Sequence, residues 1–371
     1  MTRGPGRAWF GGLLAEGVTG WSNDPADLDR GGWWAVVMTF EGTLSMWRFD
    51  RVRPADLPDP EQPWPSSATG PWTSSLGRDA YICGVSEIRR RIREGEVYQV
   101  NLCRVMSAPV RPDAGPWALA AVLAAGNPAP YAGVIDVPDG PGAPGARLVS
   151  ASPELFLDRD GDVVRSGPIK GTAPTVDGLL PKDEAENVMI VDLVRNDLQR
   201  VCRPGGVDVP ELLAVHPHPG LVHLVSTVRG RLADGAGWPE LLAVTMPPGS
   251  VSGAPKSSAL RAIADLEPVP RGPYCGAVGW VDADRGAACL AVGIRTFWWD
   301  VDRLCFGTGA GITWGSDPLQ EWEETRLKAR RLVALASGGG AGGPDAHGPL
   351  PAGRVVAATG DGWRRDGEEG S

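Results

Sequence analysis

Five carboxylates and two lysines carry most of the chemistry that spacing alone offers in this 371-residue chain. Asp183 and Glu186 lie three apart in PKDEAENVMIVDLVRNDLQRVC (181–202). Glu321, Glu324 and Lys328 recur at helical spacing in DPLQEWEETRLKARRLVALA (317–336). Residues three and four apart share one helix face. Carboxylates from two separate helices, completed by waters, make a Mg2+ site, because Mg2+ prefers oxygen ligands and keeps part of its hydration shell. The same spacing also describes two solvated helix faces. Lys170 stands in GPIKGT, after a strand-like run and before a glycine, a rigid base from which its amine reaches a pocket. A lysine exposed in a turn reads the same way. Glu154, in SPEL, opens the neighbouring segment and suits acid–base work beside a lysine; a surface charge is the plainer reading.

Two glycine-rich loops come next. GTGAGITWGSDP (307–318) and PPGSVSGAPK (247–256) each run into a helix. Glycines let backbone N–H groups approach an anion, and a helix N-terminus favours negative charge. Neither loop matches GxxxxGK[ST], so a carboxylate fits as well as a phosphate, and ordinary turns remain open. His223 lies in the alternating apolar run LVHLVST, where a histidine usually packs. His216 and His218 form a lone HxH, too sparse for a metal site. Tyr274 and Arg295 fall in strand-like segments facing the two loops.

The elements that must position these groups can be read from periodicity. Residues 1–74 are rich in Trp, Gly and Pro, with strands at 33–40 and 43–49 and a Pro-rich connector over 54–72. A helix covers 79–94, with Ile82, Val85, Ile88 and Ile92 on one face, and a strand follows over 97–106. Residues 146–171 read as strands joined by an Asp-Gly turn at 160–161. The helix from Pro181 buries Val188, Val191, Val194 and Leu198. Another helix covers 253–267, long strands cover 277–283 and 288–299, and 317–336 is the last helix. Beyond it, SGGGAGGPDAHGPLPAG cannot build a core, so 337–371 is expected to be a disordered tail.

Composition narrows the class. Apolar residues make up 42% and the net charge is −9. An acidic surface does not attract nucleic acid or anionic lipid, so neither is expected as the main partner. No run of about 18 apolar residues is present, so no membrane span is expected. The N-terminal apolar run, broken by glycines and ended by Glu16, reads as mature protein and not as a signal peptide. Six scattered cysteines without a CxxC fit reduced thiols in the cytosol.

The motifs gain meaning in order. YQVNL (98–102), SPELF (152–156), PIKGT (168–172), AENVMIVDLVRNDL (185–198), HLVSTVRG (223–230), GSVSGAPK (249–256), RGPYCGAVGW (271–280), VGIRTF (292–297) and GAGI…EWEETRLKA (309–329) follow one another. Together they closely resemble the chorismate-utilising enzymes, which include anthranilate, aminodeoxychorismate, isochorismate and salicylate synthases. The resemblance spans 79–336. It implies an α+β fold of the anthranilate synthase component I type, with two large antiparallel sheets packed face to face and helices outside. It also implies a short N-terminal region (1–74) ahead of a chorismate-binding catalytic domain (75–336).

The resemblance assigns roles. Isochorismate and salicylate synthases carry a water-activating lysine where this chain has Gln99, and an amide is no base. Anthranilate synthases usually have alanine at the position of Lys170, whereas aminodeoxychorismate synthases usually have lysine. The implied activity is therefore that of aminodeoxychorismate synthase component I, feeding 4-aminobenzoate and folate, with Lys170 as covalent nucleophile. Glu154 would move protons, and His223 would lie near the carbon-4 hydroxyl. Mg2+ would bind Glu186 and Glu324, supported by Asp183 and Glu321, and hold the ring carboxylate. Lys328 and the backbone at Gly309 and Gly311 would assist, Tyr274 and Arg295 would hold the enolpyruvyl carboxylate, and Ser250 would line the site. Two other readings remain: anthranilate synthase component I, and an idle chorismate-binding regulatory subunit.

Departures matter as well. The family usually continues PIKGT with arginine, as in GTRPR; here Ala173 and Thr175 follow, and a positive charge is missing near Lys170. No LLES-like segment appears, so tryptophan regulation is not expected. No glutaminase motif appears either, so ammonia is expected from a separate glutamine amidotransferase or from solution.

Overall fold

The run WWAVVM has no polar face to show water, which suits a strand in the middle of a sheet and buried on both sides. In the computed structural model it is β3 (Trp33–Met38), between β4 and β15, with five of its six residues buried. The structure describes residues 4–338 apart from 67, 174, 180, 219 and 220. The expected tail therefore lies almost wholly outside the described residues.

Ahead of α1 (Arg78–Arg93) come β1 (Gly4–Phe10), β2 (Leu13–Ser22), β3, β4 (Leu44–Pro54) and the short β5 (Thr73–Ser74). Next follow β6 (Gln99–Pro109), α2 (Pro116–Gly126), β7 (Tyr131–Val137), β8 (Ala146–Ser152), β9 (Leu155–Asp160), β10 (Val163–Gly167) and β11 (Ile169–Ala173). Then come α3 (Pro181–Gln199), β12 (Cys202–His218), β13 (Leu221–Leu232), α4 (Trp238–Thr245), β14 (Gly253–Ala254) and α5 (Lys256–Leu266). The chain closes with β15 (Ala277–Asp282), β16 (Ala287–Val292), β17 (Thr296–Asp300), β18 (Arg303–Ile312) and α6 (Pro318–Ala336). No helix among the described residues is long and apolar enough to cross a membrane.

Every strand pairing is antiparallel, and the pairs join into one ribbon. It runs β6–β18–β17–β8–β7–β1–β2–β4–β3–β15–β16–β9–β10–β13. Strands β5 and β14 lie along β6, and β11 and β12 along β13. The expected pair of sheets is present as two layers of this ribbon. Phe10, Ile135 and Leu148 from one layer pack with Trp33, Val37 and Val278 from the other. Across that core the Phe10 and Trp33 rings lie 6.3 Å apart. Helices α1, α3, α4 and α5 cover a second apolar core. Helices α2 and α6 cover a third, against Phe297 and Phe306.

The structure corrects three expectations. The strand expected over 288–299 is two strands: β16 pairs with β15 and β9, whereas β17 pairs with β8 and β18. The break falls at 293–295, where Arg295 takes φ +52°. Tyr274 lies in a turn ahead of β15, not in a strand. Val188 is 46% exposed, and Ile190 takes its place in the core beside Val191, Val194 and Leu198. In α3 the buried stripe is thus rotated relative to the expected one, because Asn187 turns inward and donates to the Leu224 carbonyl at 3.2 Å.

The segment 246–255 is tied down at both ends. Past its C-terminal end, Lys256 Nζ meets Asp197 Oδ2 at 2.6 Å and donates to the Thr245 carbonyl at 3.2 Å. Both charges are largely buried, at 17% and 8% exposure. Toward its middle, the Arg271 guanidinium donates to the Val251 carbonyl at 2.9 Å. Breaking one side of a buried ion pair leaves the other charge without compensation. Lys256→Met is expected to lower the unfolding free energy by roughly 3 kcal/mol, read from the midpoint shift in urea denaturation; an unchanged midpoint would show that the pair does not hold the segment.

Candidate active site

Lys170 is the second residue of β11, which hydrogen-bonds along β13 with Lys170 opposite Leu224. The register slips between Lys170 and Thr172, at Gly171, whose φ is +77°. A Cβ at this glycine would lie 2.9 Å from the Cβ of Asp183. The bulge therefore lets β11 press against the first turns of α3 and brings Lys170 beside that helix.

The Lys170 amine donates to the Ser250 carbonyl at 2.9 Å. Ser250 is 5% exposed, in a short 3-10 turn over Gly249–Val251. Its hydroxyl and the Ile169 N–H lie close enough to the Glu154 carboxyl to favour its charged form. Glu154 is 5% exposed, at the junction of β8 and β9. Among the described residues Lys170 and Glu154 form no direct ion pair; Ser250 touches both. Behind Glu154 and Ser250 lies a cavity of about 20 Å³ walled by Phe156, Val194, Leu198 and Val292. Such a space holds at most a water or so and gives the carboxyl little hydration.

Electrostatics follow from this burial. Desolvation pushes the Lys170 amine below the ordinary lysine value; Glu154, Glu186 and Glu324 pull it back up, and Lys328 adds to the lowering. Desolvation pushes Glu154 above the ordinary carboxyl range, against the pull of Lys170 and the hydrogen bonds from Ser250 and Ile169. A buried amine tends to lose its proton and a buried carboxyl to keep it. Each group is thus biased toward the form that can act, a neutral amine and a protonated acid.

A second group forms where α6 crosses β18. Lys328 Nζ meets Glu324 Oε1 at 2.6 Å and donates to the Gly309 carbonyl at 3.2 Å. Glu321 and Glu324 both act electrostatically on Tyr81 of α1. Glu186 and Glu324, from α3 and α6, both act on Lys170, which brings the two groups into one site. Among the described residues no cluster of three or more His, Cys, Asp or Glu side chains converges on one point. The carboxylate oxygens of Glu186 and Glu324 are the right donors for a Mg2+ ion that keeps waters and takes substrate oxygens.

The floor is β18. Gly311 pairs with Asn101 and Gly309 with Cys103 on β6. A Cβ at Gly307 would run into the Tyr274 ring, and one at Gly311 into the Gln99 amide. The glycines leave room for side chains laid flat on the strand. Tyr274 is 6% exposed, with its hydroxyl 4.0 Å from Cys103 Sγ. Gln99 is fully buried, and among the described residues neither atom of its amide has a hydrogen-bond partner. Buried polar atoms without partners are rare and mark places where a ligand or water completes the set.

The remaining candidates spread around this centre. Arg295 is half-buried at the strand break; desolvation lowers its pKa, and its side chain makes no hydrogen bond or ion pair among the described residues. His223 is 6% exposed on β13, between Thr172 of β11 and His216 of β12. Of the HxH pair, His216 lies 3.9 Å from Glu211, and the side chain of His218 is outside the described residues. Sequence reasoning gave no task to Asn101, Lys256 or Arg271, although each stands inside a quoted motif. Their roles are hydrogen bonds across long sequence separations, which spacing does not reveal.

A buried amine, a buried acid, paired acidic helices and a desolvated guanidinium suit an enzyme that acts on a small anionic molecule. A family model of chorismate binding enzymes matches residues 41–334, and the chain belongs to that family. It is 37% identical over 300 residues to an anthranilate synthase component 1 of Haloarcula marismortui, covering 76% of this chain and 59% of that protein. It is also 37% identical over 278 residues to the aminodeoxychorismate synthase component 1 of Klebsiella aerogenes, covering 71% and 59%. The chain thus spans somewhat over half the length of these curated relatives. The anthranilate synthase component I of Streptococcus pneumoniae has the same fold, with TM-score 0.73, 23% identity, and 90% and 91% of the two chains covered.

The stacked Tyr274 ring leads to a test. Gly307→Ala is expected to cost about 1–3 kcal/mol of stability, the usual scale of overpacking, measured by chemical denaturation. Wild-type stability would mean that the ring does not depend on the bare strand.

Proposed function

We propose that this chain is the aminating component of an aminodeoxychorismate synthase, converting chorismate and ammonia to 4-amino-4-deoxychorismate through a covalent adduct on Lys170. The observation that carries the reading is the desolvated Lys170 amine, held on the Ser250 carbonyl beside the buried acid Glu154. The neutral amine attacks ring carbon 2, the two conjugated ring double bonds shift along the ring toward carbon 4, and the carbon-4 hydroxyl leaves as water with the proton of Glu154. Ammonia then attacks carbon 4, the double bonds shift back, the bond from carbon 2 to the lysine nitrogen breaks to release the amine, and the Glu154 carboxylate takes a proton from the new ammonium group. Covalent catalysis divides one hard substitution into two easier steps.

Other residues fit this reading. Arg295, desolvated and without a partner among the described residues, suits the enolpyruvyl carboxylate, with Tyr274 nearby in the binding role. Glu186 and Glu324, with Asp183 and Glu321, would hold Mg2+, which supplies charge for the ring carboxylate when bound. Lys328, Gly309 and Gly311 would border that carboxylate, and His223 the leaving hydroxyl. Gln99 cannot activate water as a base, which favours amination over hydration. Ammonia would come from a glutamine amidotransferase partner, in keeping with the component names of the relatives. Those relatives carry both anthranilate and aminodeoxychorismate names at similar identity, so anthranilate formation is the second reading.

The test is product identity. With chorismate, Mg2+ and ammonium, wild type is expected to form aminodeoxychorismate, and Lys170→Ala to turn over roughly 10³-fold more slowly, within the range for losing a key acid–base or nucleophilic group. Anthranilate plus pyruvate would replace this reading with the second one. The pH dependence has a definite sign. A protonated amine cannot attack, so at constant free ammonia the rate is expected to fall as pH drops through a pKa below the ordinary lysine value. A limb at or above the ordinary lysine value would argue against a desolvated nucleophile.

A further inference from the structure

Asn101 has no task in the scheme above, yet it shares an acceptor with the nucleophile. Its Nδ2 donates to the Ser250 carbonyl at 3.0 Å, and Lys170 Nζ donates to the same oxygen at 2.9 Å. A carbonyl oxygen offers two lone pairs, and both are used here. Asn101 is 8% exposed and fixed at its backbone as well. Its N–H donates to the Ser252 carbonyl at 2.9 Å, and its own carbonyl accepts from Arg271 Nη2 at 2.9 Å.

We propose that Asn101 is a positioning residue that holds Lys170 and Glu154 in mutual register through the Ser250 peptide. This rests on the lysine-nucleophile reading. A lysine has four rotatable bonds, and an acceptor with two open lone pairs would let its amine swing between two directions. Asn101 fills one direction and leaves the amine the other. The hydroxyl of Ser250 meets Glu154, so a rotation of the 250–251 peptide would displace the nucleophile and its acid together. The amide of Asn101 neither gives up nor gains a proton in this range, so it acts through Ser250 and not on the substrate.

The variants are Asn101→Asp, which keeps the shape and loses the donor, and Asn101→Leu, which loses the donor without adding charge. With chorismate, Mg2+ and ammonium, kcat is expected to fall on the order of 10–100-fold in both, because misplacing a reacting group by about 1 Å costs up to about 10²-fold. KM for chorismate should stay within about twofold. Wild-type kcat in a folded variant, or a rise in KM at unchanged kcat, would overturn the proposal. If one variant fails to fold by thermal melting, the other decides. Lys170→Ala, assayed beside them, separates the two claims. Full turnover in Lys170→Ala sinks the nucleophile reading whatever Asn101 does. A silent Lys170→Ala beside fully active Asn101 variants sinks the positioning proposal alone.

Discussion

One residue meets two opposite demands. The Ser250 carbonyl accepts a hydrogen bond from an amine, and its hydroxyl meets a carboxyl, both in a place nearly closed to water. A buried amine and a buried acid in direct contact would form an ion pair, which holds both groups in their charged forms. With Ser250 touching both, burial biases the amine toward its neutral form and the carboxyl toward its protonated form. The rest of the architecture can be read as support for that residue. Lys256 anchors one end of its segment on Asp197, and Arg271 holds the Val251 carbonyl. The register slip at Gly171 brings Lys170 within reach.

The continuous ribbon explains why such distant residues meet. Ser250 and Asn101 are joined by a hydrogen bond across 149 positions in sequence. Only β6 makes this contact short: it pairs with β14 on one edge and with β18 on the other. Antiparallel pairing fixes which side chains share a face, because side chains alternate along each strand. Gln99, Asn101 and Cys103 therefore project on the same side of β6. The bare backbone of Gly311 and Gly309 opposite them leaves room for those side chains. A one-residue slip in β6 would turn all three away from the site.

Much of this was legible before the structure, but unevenly. Helices α1, α3, α5 and α6 follow from their periodicity, and their ends fall within a few residues of the expected ones. Position in a strand was harder. The run around Arg295 is apolar and β-branched enough to read as one strand, and nothing local announces that its two halves take different partners. The long strand β12 carries Pro204 and Pro210, which disguise a strand pattern. In α3 the polar Asn187 turned out to face inward because it meets a carbonyl on β13, a contact that helical spacing cannot anticipate. The site residues stood out by type, and their association came from the ordered motifs. Their hydrogen-bond partners, Asn101 and Ser250 above all, could come only from the paired strands.

The break between β16 and β17 is where the ribbon's order and the site's chemistry coincide. At that point the chain leaves β15 and β9 for β8 and β18, and a change of partner within three residues forces an abrupt turn. Arg295 makes the turn at φ +52°, and Cys275, at the neighbouring end of β15, sits at φ +63°. Left-handed conformations cost non-glycine residues energy and persist only where the surroundings over-determine them. Here the hydrogen bond from Ala151 N–H to the Arg295 carbonyl, at 3.0 Å, pins one side, and that from Cys275 N–H to the Gly293 carbonyl, at 3.0 Å, pins the other. The strained turn leaves the Arg295 guanidinium partly desolvated and without a partner among the described residues. A guanidinium in that condition gains more from an incoming carboxylate than one already satisfied by water or by a neighbour. The seam that the sheet needs in order to fold over is thus also where a desolvated guanidinium stands without a partner among the described residues.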